Sequence, residues 1–394
     1  MATEIKKRSE IPAEYKWHLE DLYPTDEAWE QDYDKVLTAA AKMRGFAGTL
    51  GASGANLLAY FKAMDELGFI LTRCMVYANE KSHEDTAIAK YQDYASKADY
   101  AAMVVSEATA YALPEILAID DGTLANMYAD ESGLAHYRRK IQEMRRAKEH
   151  ILSEAEEKIL AMASEVTRAP YNVFSMFDNA DIKFPSVTDF EGNRIQVTNG
   201  NFTVLMQNTD RDLRKQVYQG FYATFNGMGN TIAANYASQV KANMFYANAR
   251  KYSSARAMFL ADGNIPESVY DNLVETVHKH LPAMYRYVAS RKKILGVEQL
   301  HTYDIYVPIV EVSEHTYTFE EARDLVLAAL APMGEEYVSI MREGFANGWV
   351  DVYENENKRG GAYSWGAYGT HPYVLLNFQG ALDSVFTLAH ELGH

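Results

Sequence analysis

The chain has 394 residues, of which 48% are hydrophobic and 23% charged, a balance that predicts a folded, soluble protein and excludes a disordered one. Its 38 basic and 54 acidic residues give a formal charge of −16. That excess of acid excludes a chain-wide phosphate-binding surface, which needs cations facing the backbone, though it leaves room for a local basic patch. The one cysteine, Cys74, excludes an intrachain disulfide and fits a reducing compartment. The length suits about two or three domains, or one large domain with a smaller partner.

In chain order, the first ten residues are charged and lack the apolar stretch of a secretory signal, so a cytoplasmic location is expected. Helical spacing of apolar residues predicts a mostly helical chain, with helices over 29–42, 57–77, 85–111 and 137–150. The most apolar long stretch, 100–113, is interrupted by Glu107 and is too short to span a bilayer. Arg138, Arg139, Lys140, Arg145, Arg146 and Lys148 form a basic run interrupted by Glu143 and Glu149. A solvated helix with i,i+4 pairs accounts for it better than a nucleic-acid patch does. Ser153-Glu154-Ala155-Glu156 has the capping-box pattern and should start a helix running to about Ser164.

Between 182 and 205 the apolar runs shorten to strand length around Glu191-Gly192-Asn193, which predicts a β-hairpin. The expected division falls there, into a helical domain over 1–198 and a second domain over 199–394. Helical pattern resumes over 210–248, 267–295 and 319–343. From 349 to 378, Gly360, Gly361, Gly366 and Gly369 precede Pro372 and the run Tyr373-Val374-Leu375-Leu376, which predicts a turn-rich β segment. It lacks the G-x-x-x-x-G-K-[ST] pattern of a phosphate loop. One reading makes it an edge to which an extended peptide adds as a strand, with Tyr363, Trp365, Tyr368 and Tyr373 as contacts. A packed aromatic turn is the equal alternative. The last helix should begin near Asp383 as its N-cap.

That helix carries His390-Glu391-Leu392-Gly393-His394, an H-E-x-x-H. Residues four apart lie on one helix face, so two imidazoles can share one Zn²⁺ at about 2.0–2.1 Å each. Glu391 then sits beside the metal, free to act as base. Val385, Phe386, Leu388, Ala389 and Leu392 make the helix largely apolar, which predicts a buried setting for the histidines. Two histidines in ordinary core or surface roles are the plain alternative. His278 and His280, two apart, point to different faces and should not share a metal. His18, His83, His136, His150, His301 and His315 read as surface or satisfied structural residues. His371 reads as a loop histidine, with the lining of a substrate cleft as the lesser alternative.

The sequence resembles the oligoendopeptidase F family, within the thimet-oligopeptidase-like zinc metallopeptidases. The resemblance runs through Trp17-His18-Leu19-Glu20-Asp21-Leu22-Tyr23-Pro24 with Trp29, and through His150-Ile151-Leu152-Ser153 with Glu156-Glu157. It continues in Leu300-His301-Thr302-Tyr303-Asp304-Ile305-Tyr306-Val307-Pro308, and in Asp351-Val352-Tyr353-Glu354-Asn355 leading to Lys358-Arg359-Gly360-Gly361-Ala362-Tyr363-Ser364. It closes in Leu376-Asn377-Phe378 and Phe386-Thr387-Leu388-Ala389-His390-Glu391-Leu392-Gly393-His394.

The resemblance implies a mainly α, helical zincin-like metallopeptidase with a small β segment beside the motif helix. It implies a deep channel that admits short unfolded peptides and excludes folded proteins. It also implies one zinc per complete site, held by His390 and His394, with Glu391 as general base. Gly361, Ala362, Tyr363, Tyr368 and His371 are the candidate substrate contacts. Oligopeptides are the expected partners, with no nucleic acid and no membrane. The family's third ligand, a glutamate on a following helix, and its assisting histidine and tyrosine lie beyond the motif. The chain is therefore expected to be truncated, with the C-terminal part of the catalytic domain missing, and inactive alone. The alternative from another class is a non-catalytic helical peptide-binding protein with a vestigial motif.

Overall fold

A computed structural model of the chain describes residues 5–310 and 315–394. The first four residues of the charged amino terminus lie outside them. The first helices are α1 (Asp26–Met43), α2 (Gly54–Glu84) and α3 (Ala89–Ala108), which pack against one another. α1 and α2 start where a side chain can accept from an orphan N–H: Thr25 Oγ1 takes Ala28 N at 3.3 Å, and Ser53 Oγ takes Asn56 N at 3.2 Å. Their shared core centres on Trp29, which is 0% exposed. Its ring stacks on Tyr33 and Tyr94, and its Nε1–H donates to Cys74 O at 2.9 Å. The polar handle of the indole is thus satisfied inside an apolar core.

Three short helices follow, α4 (Ala112–Ala118), α5 (Asp121–Asp130) and α6 (Arg138–Arg146). The sequence reading predicted neither α4 nor α5, each of about three turns or fewer. By length and composition, 89–118 could cross a bilayer, which the shorter window 100–113 did not suggest. A break after α3 divides it in two, and Ala98, Ala101 and Val105 are buried in the helical core.

α7 (Glu154–Met176) has the predicted capping box: Ser153 N donates to Glu156 Oε2 at 2.9 Å, and Ser153 Oγ accepts from Glu156 N. The helix does not stop near Ser164. It runs through Pro170 because its packing against α3 and α10 outweighs one missing ladder bond. The carbonyl that loses its i→i−4 donor at Pro170 belongs to Val166, a residue 75% exposed. Ser153→Ala is expected to lower stability by about 1 kcal/mol, the usual worth of such a cap, read as a fall in urea midpoint at unchanged slope.

The predicted hairpin forms, but it is smaller than expected. Only β1 (Ser186–Thr188) and β2 (Arg194–Gln196) pair, antiparallel, with Val187 opposite Ile195. Asp189 Oδ1 closes the turn by accepting from Glu191 N and Asn193 N. The end of the predicted hairpin instead forms a short helix, α8 (Phe202–Met206). The single helix expected over 210–248 is two, α9 (Arg211–Gly227) and α10 (Gly229–Ala249), broken at Met228. α11 (Ala255–Asp262) and α12 (Glu267–Ile294) follow. Asp304 is buried and takes Arg211 Nη2 at 2.9 Å and Arg214 Nη2 at 2.8 Å. Those guanidiniums and the His301 N–H outweigh the burial that opposes ionisation, holding its carboxyl down at about 2.

The remaining helices α13 (Phe319–Ala329) and α14 (Glu335–Ala346) replace the one predicted over 319–343. Pro332 and Gly334, the latter at φ +97°, make the break. A three-stranded sheet then forms from β3 (Val350–Asp351), β4 (Tyr363–Trp365) and β5 (Tyr373–Leu375) in the order β3-β5-β4. β3 runs parallel to the central β5 and β4 antiparallel to it, with Ser364 opposite Val374. The N-terminal segment is stitched to this sheet. Val352 N donates to Tyr15 O at 3.0 Å and His18 N to Gly348 O at 2.7 Å. Gly348 is required there: its φ is +68°, and a Cβ would fall within 2.4 Å of the His18 ring.

The last helix, α15 (Leu382–Gly393), packs on α13 through a core containing Val326, Val385 and Leu388. Ala381, not Asp383, is its N-cap. Asp383 lies in the first turn, where a carboxylate still complements the helix dipole.

Candidate active site on the last helix

α15 presents two faces. Val385, Leu388 and Glu391 recur at i, i+3, i+6 and are buried. Phe386, His390 and His394 recur every four residues on the other side and are exposed, Phe386 at 69%. The buried setting predicted for the histidines is therefore wrong. The apolar residues of the helix are divided between a packed face and an open one, and both imidazoles are on the open one. Glu391 follows His390 by about 100° around the axis and turns inward, at 8% exposure.

The two imidazoles point their Nε2 atoms at one another, 3.2 Å apart, with ring planes at 88°. Two nitrogens bound at about 2.0–2.1 Å to one tetrahedral centre stand about 3.3 Å apart. The pair therefore has the spacing of two ligands to a single ion. Among the described residues no group of three His, Cys, Asp or Glu side chains could hold a metal. A catalytic zinc takes three protein ligands, and the spacing of His390 and His394 matches two of them.

The sheet beside this helix is built rigidly. Lys358 Nζ, wholly buried, meets Asp351 Oδ1 at 2.6 Å, Tyr353 O at 2.7 Å and Leu376 O at 2.6 Å. Arg8 Nη1 also reaches Asp351 Oδ1, at 2.8 Å. The C-terminal end of α2 is closed by the segment before β4: Asn355 Nδ2 donates to Glu84 O, Arg359 N to His83 O, and Thr86 N to Asn357 O. The first two bonds satisfy carbonyls that a helix end leaves orphaned, and the third pairs the N–H of a residue just past the helix. Asn377 Nδ2, past β5, donates to Arg359 O at 3.0 Å and Gly361 O at 2.8 Å.

The candidate substrate residues fall into two groups. Gly361 (φ +85°) has no atom within 4 Å of where a Cβ would stand, Ala362 follows it at the entry to β4, and Tyr368 is 88% exposed. Tyr363 and His371 already have partners. Tyr363 Oη lies 2.8 Å from His83 Nδ1. His371 stacks on Trp349 with ring planes at 2° and sets Nε2 3.2 Å from Asp21 Oδ2. β4 pairs with β5 on one side only, so its other edge carries no strand among the described residues. α15 packs against the same strand. A polar cleft of about 570 Å³ adjoins Gly360 and includes Asp178, Asn179, Asn199 and Glu354. A larger cleft of about 1040 Å³ lies between α3, α7 and α10 and contains no residue of the motif. The sequence reading missed Arg359 and Asn377 as braces of the β4 entrance. Both stand inside the family-like segments, but their donors act on backbone carbonyls and an imidazole far away in sequence.

The sequence pattern of peptidase family M3 matches residues 204–394, and that of oligopeptidase F matches residues 115–184. The chain is 43% identical over 393 residues to oligopeptidase PepF of Bacillus subtilis, spanning 100% of this chain and 59% of that protein. It is 37% identical to the group B oligopeptidase PepB of Streptococcus agalactiae, over 98% of this chain and 64% of that protein. Its fold resembles the crystal structure of oligoendopeptidase-F from Enterococcus faecium, with a TM-score of 0.70 and 33% identity over 81% of this chain and 61% of that one. The chain thus spans roughly three fifths of the length of these relatives. With its helical architecture and its small sheet beside the last helix, the chain resembles peptidase family M3 over residues 204–394 and oligopeptidase F over residues 115–184.

Proposed function

We propose that this chain serves a zinc endopeptidase that hydrolyses short oligopeptides. The observation that carries the reading is the facing pair of Nε2 atoms 3.2 Å apart on α15, with Glu391 between them in sequence, in a chain that resembles family M3 over residues 204–394. His390 and His394 would hold the ion through Nε2. When bound, zinc lowers the pKa of a water to about 7 and polarises a carbonyl. Glu391 takes a proton from water on its carboxylate as the water attacks the peptide carbonyl. It then returns that proton to the leaving amine. The free edge of β4 receives the peptide in extended form, and Gly361, Ala362 and Tyr368 are its contacts. Tyr363 and His371, with their partners inside the fold, contribute packing rather than direct contact.

Because the chain spans 59% of the Bacillus subtilis relative, the test uses the protein at its full genomic length. Cleavage of a short fluorogenic peptide should stop on chelation and return with zinc. His390→Ala or His394→Ala should each weaken zinc binding by at least about tenfold, since even outer-shell changes cost 10–100-fold. Chelator-resistant cleavage would sink the zinc reading. Peptide binding without zinc and without hydrolysis would return the non-catalytic alternative.

A further inference from the structure

His83, on the last turn of α2, bonds with both ring nitrogens to the segment that enters the edge strand. Arg359 Nη1 lies 2.8 Å from its Nε2, and Tyr363 Oη lies 2.8 Å from its Nδ1. The tautomer follows from donor chemistry. A guanidinium has no acceptor, so Nε2 must be bare and accept from Arg359. The imidazole proton is then on Nδ1, which donates to the Tyr363 oxygen. A protonated ring would point N–H at N–H. Burial, followed by the Arg359 charge, pushes the imidazole down to about 3, so the ring stays neutral across the working range. Arg359 is itself anchored, its backbone N–H on His83 O and its carbonyl on Asn377 Nδ2.

We propose that His83 is a positioning residue: with Arg359 it fixes Tyr363, and through Tyr363 it holds β4 in register to receive the substrate peptide. The proposal rests on the reading that peptide adds along β4. Among the described residues none of the relay's hydrogen bonds reaches His390, Glu391 or His394, so loosening the relay should disturb binding of extended peptide more than the chemistry.

The test has two independent arms. In the first, ¹⁵N-labelled chain should show His83 as the Nδ1–H tautomer, and the amides of 363–365 should exchange faster in His83→Leu and Tyr363→Phe than in wild type or His83→Gln. Gln can accept from Arg359 and donate to Tyr363, so it serves as the conservative replacement. In the second arm, peptide hydrolysis by the full-length protein should show KM raised about tenfold in His83→Leu with kcat little changed, the size expected from about one to two lost hydrogen bonds, and restored in His83→Gln. Tyr363→Phe keeps the ring and its packing, so it decides the matter if His83→Leu does not fold. An Nε2–H tautomer, or unchanged amide exchange in both variants, would overturn the proposal. So would a fall in kcat with KM unchanged. If the wild type hydrolyses no peptide, the peptidase reading fails, while the first arm still decides whether His83 positions β4.

Discussion

Glu391→Gln should lower kcat for peptide hydrolysis by a factor of about 10²–10⁴, the usual contribution of a positioned general base, and leave zinc content unchanged. The substitution is nearly isosteric, so the half of α15 that packs on α13 stays in place. It removes only the ability to hold a proton. Glu391 is 8% exposed and follows His390 on a helix whose two imidazoles face each other. A carboxylate there is fixed in direction, which a solvated one would not be. On the proposed assignment zinc content should hold, because the ligands are His390 and His394 and Glu391 is buried on the other face of the helix. Single-turnover cleavage with saturating peptide measures the chemical step directly. Turnover equal to wild type would remove Glu391 from the mechanism. A parallel loss of zinc would make it a ligand instead.

The helix under the motif and the meeting of His390 with His394 were legible, because spacing within one helix turn is a local property. The capping box at Ser153 was legible for the same reason. What the sequence did not reveal depends on long-range packing. The end of α7 was placed near Ser164, yet the helix runs to Met176 because α3 and α10 cover it. The histidines were expected to be buried because composition cannot say which side of an apolar helix meets the core. The breaks at Met228 and at Pro332 and Gly334 were both marked by residues that disfavour a helix interior. Gly227 and Gly229 stand on either side of Met228, and the helical reading over 210–248 ran through them. The edge of β4 was anticipated from its glycines and aromatics. Its brace was not, because His83 and Arg359 are 276 residues apart. Tyr363 looked like a substrate contact by residue type alone, and only the fold shows that its hydroxyl is already engaged.

Asp351→Ala should cost about 3–5 kcal/mol, the range for removing one partner of a buried ion pair. Asp351 and Lys358 are both wholly buried, and among the described residues the ammonium has no other carboxylate at contact distance. Without Asp351 it keeps only carbonyl partners in a buried site, and the neutral amine becomes the better guest. Replacing the pair together, as Asp351→Leu with Lys358→Met, should recover most of the loss, because the desolvation cost of both charges disappears. Arg8 loses one partner in that variant but retains Glu84 at 2.9 Å. Urea midpoints for the two singles and the double give the coupling directly. A double variant as unstable as the sum of its singles would show that the two charges do not act as a unit. Acid should reveal the same pair. Burial alone would raise the Asp351 carboxyl, but Lys358 and Arg8 outweigh it and hold it below the ordinary carboxylate range. A folded value below the unfolded one means the stabilisation is complete above about pH 3.9 and drains as pH falls through the folded value. The pair also reaches the site. It joins β3 to the residue after β5, and β5 leads into α15. Asp351→Ala should therefore lower peptide hydrolysis at temperatures where the fold still holds, and the paired replacement should restore it, because the sheet rather than the charge is what sets the motif helix in place.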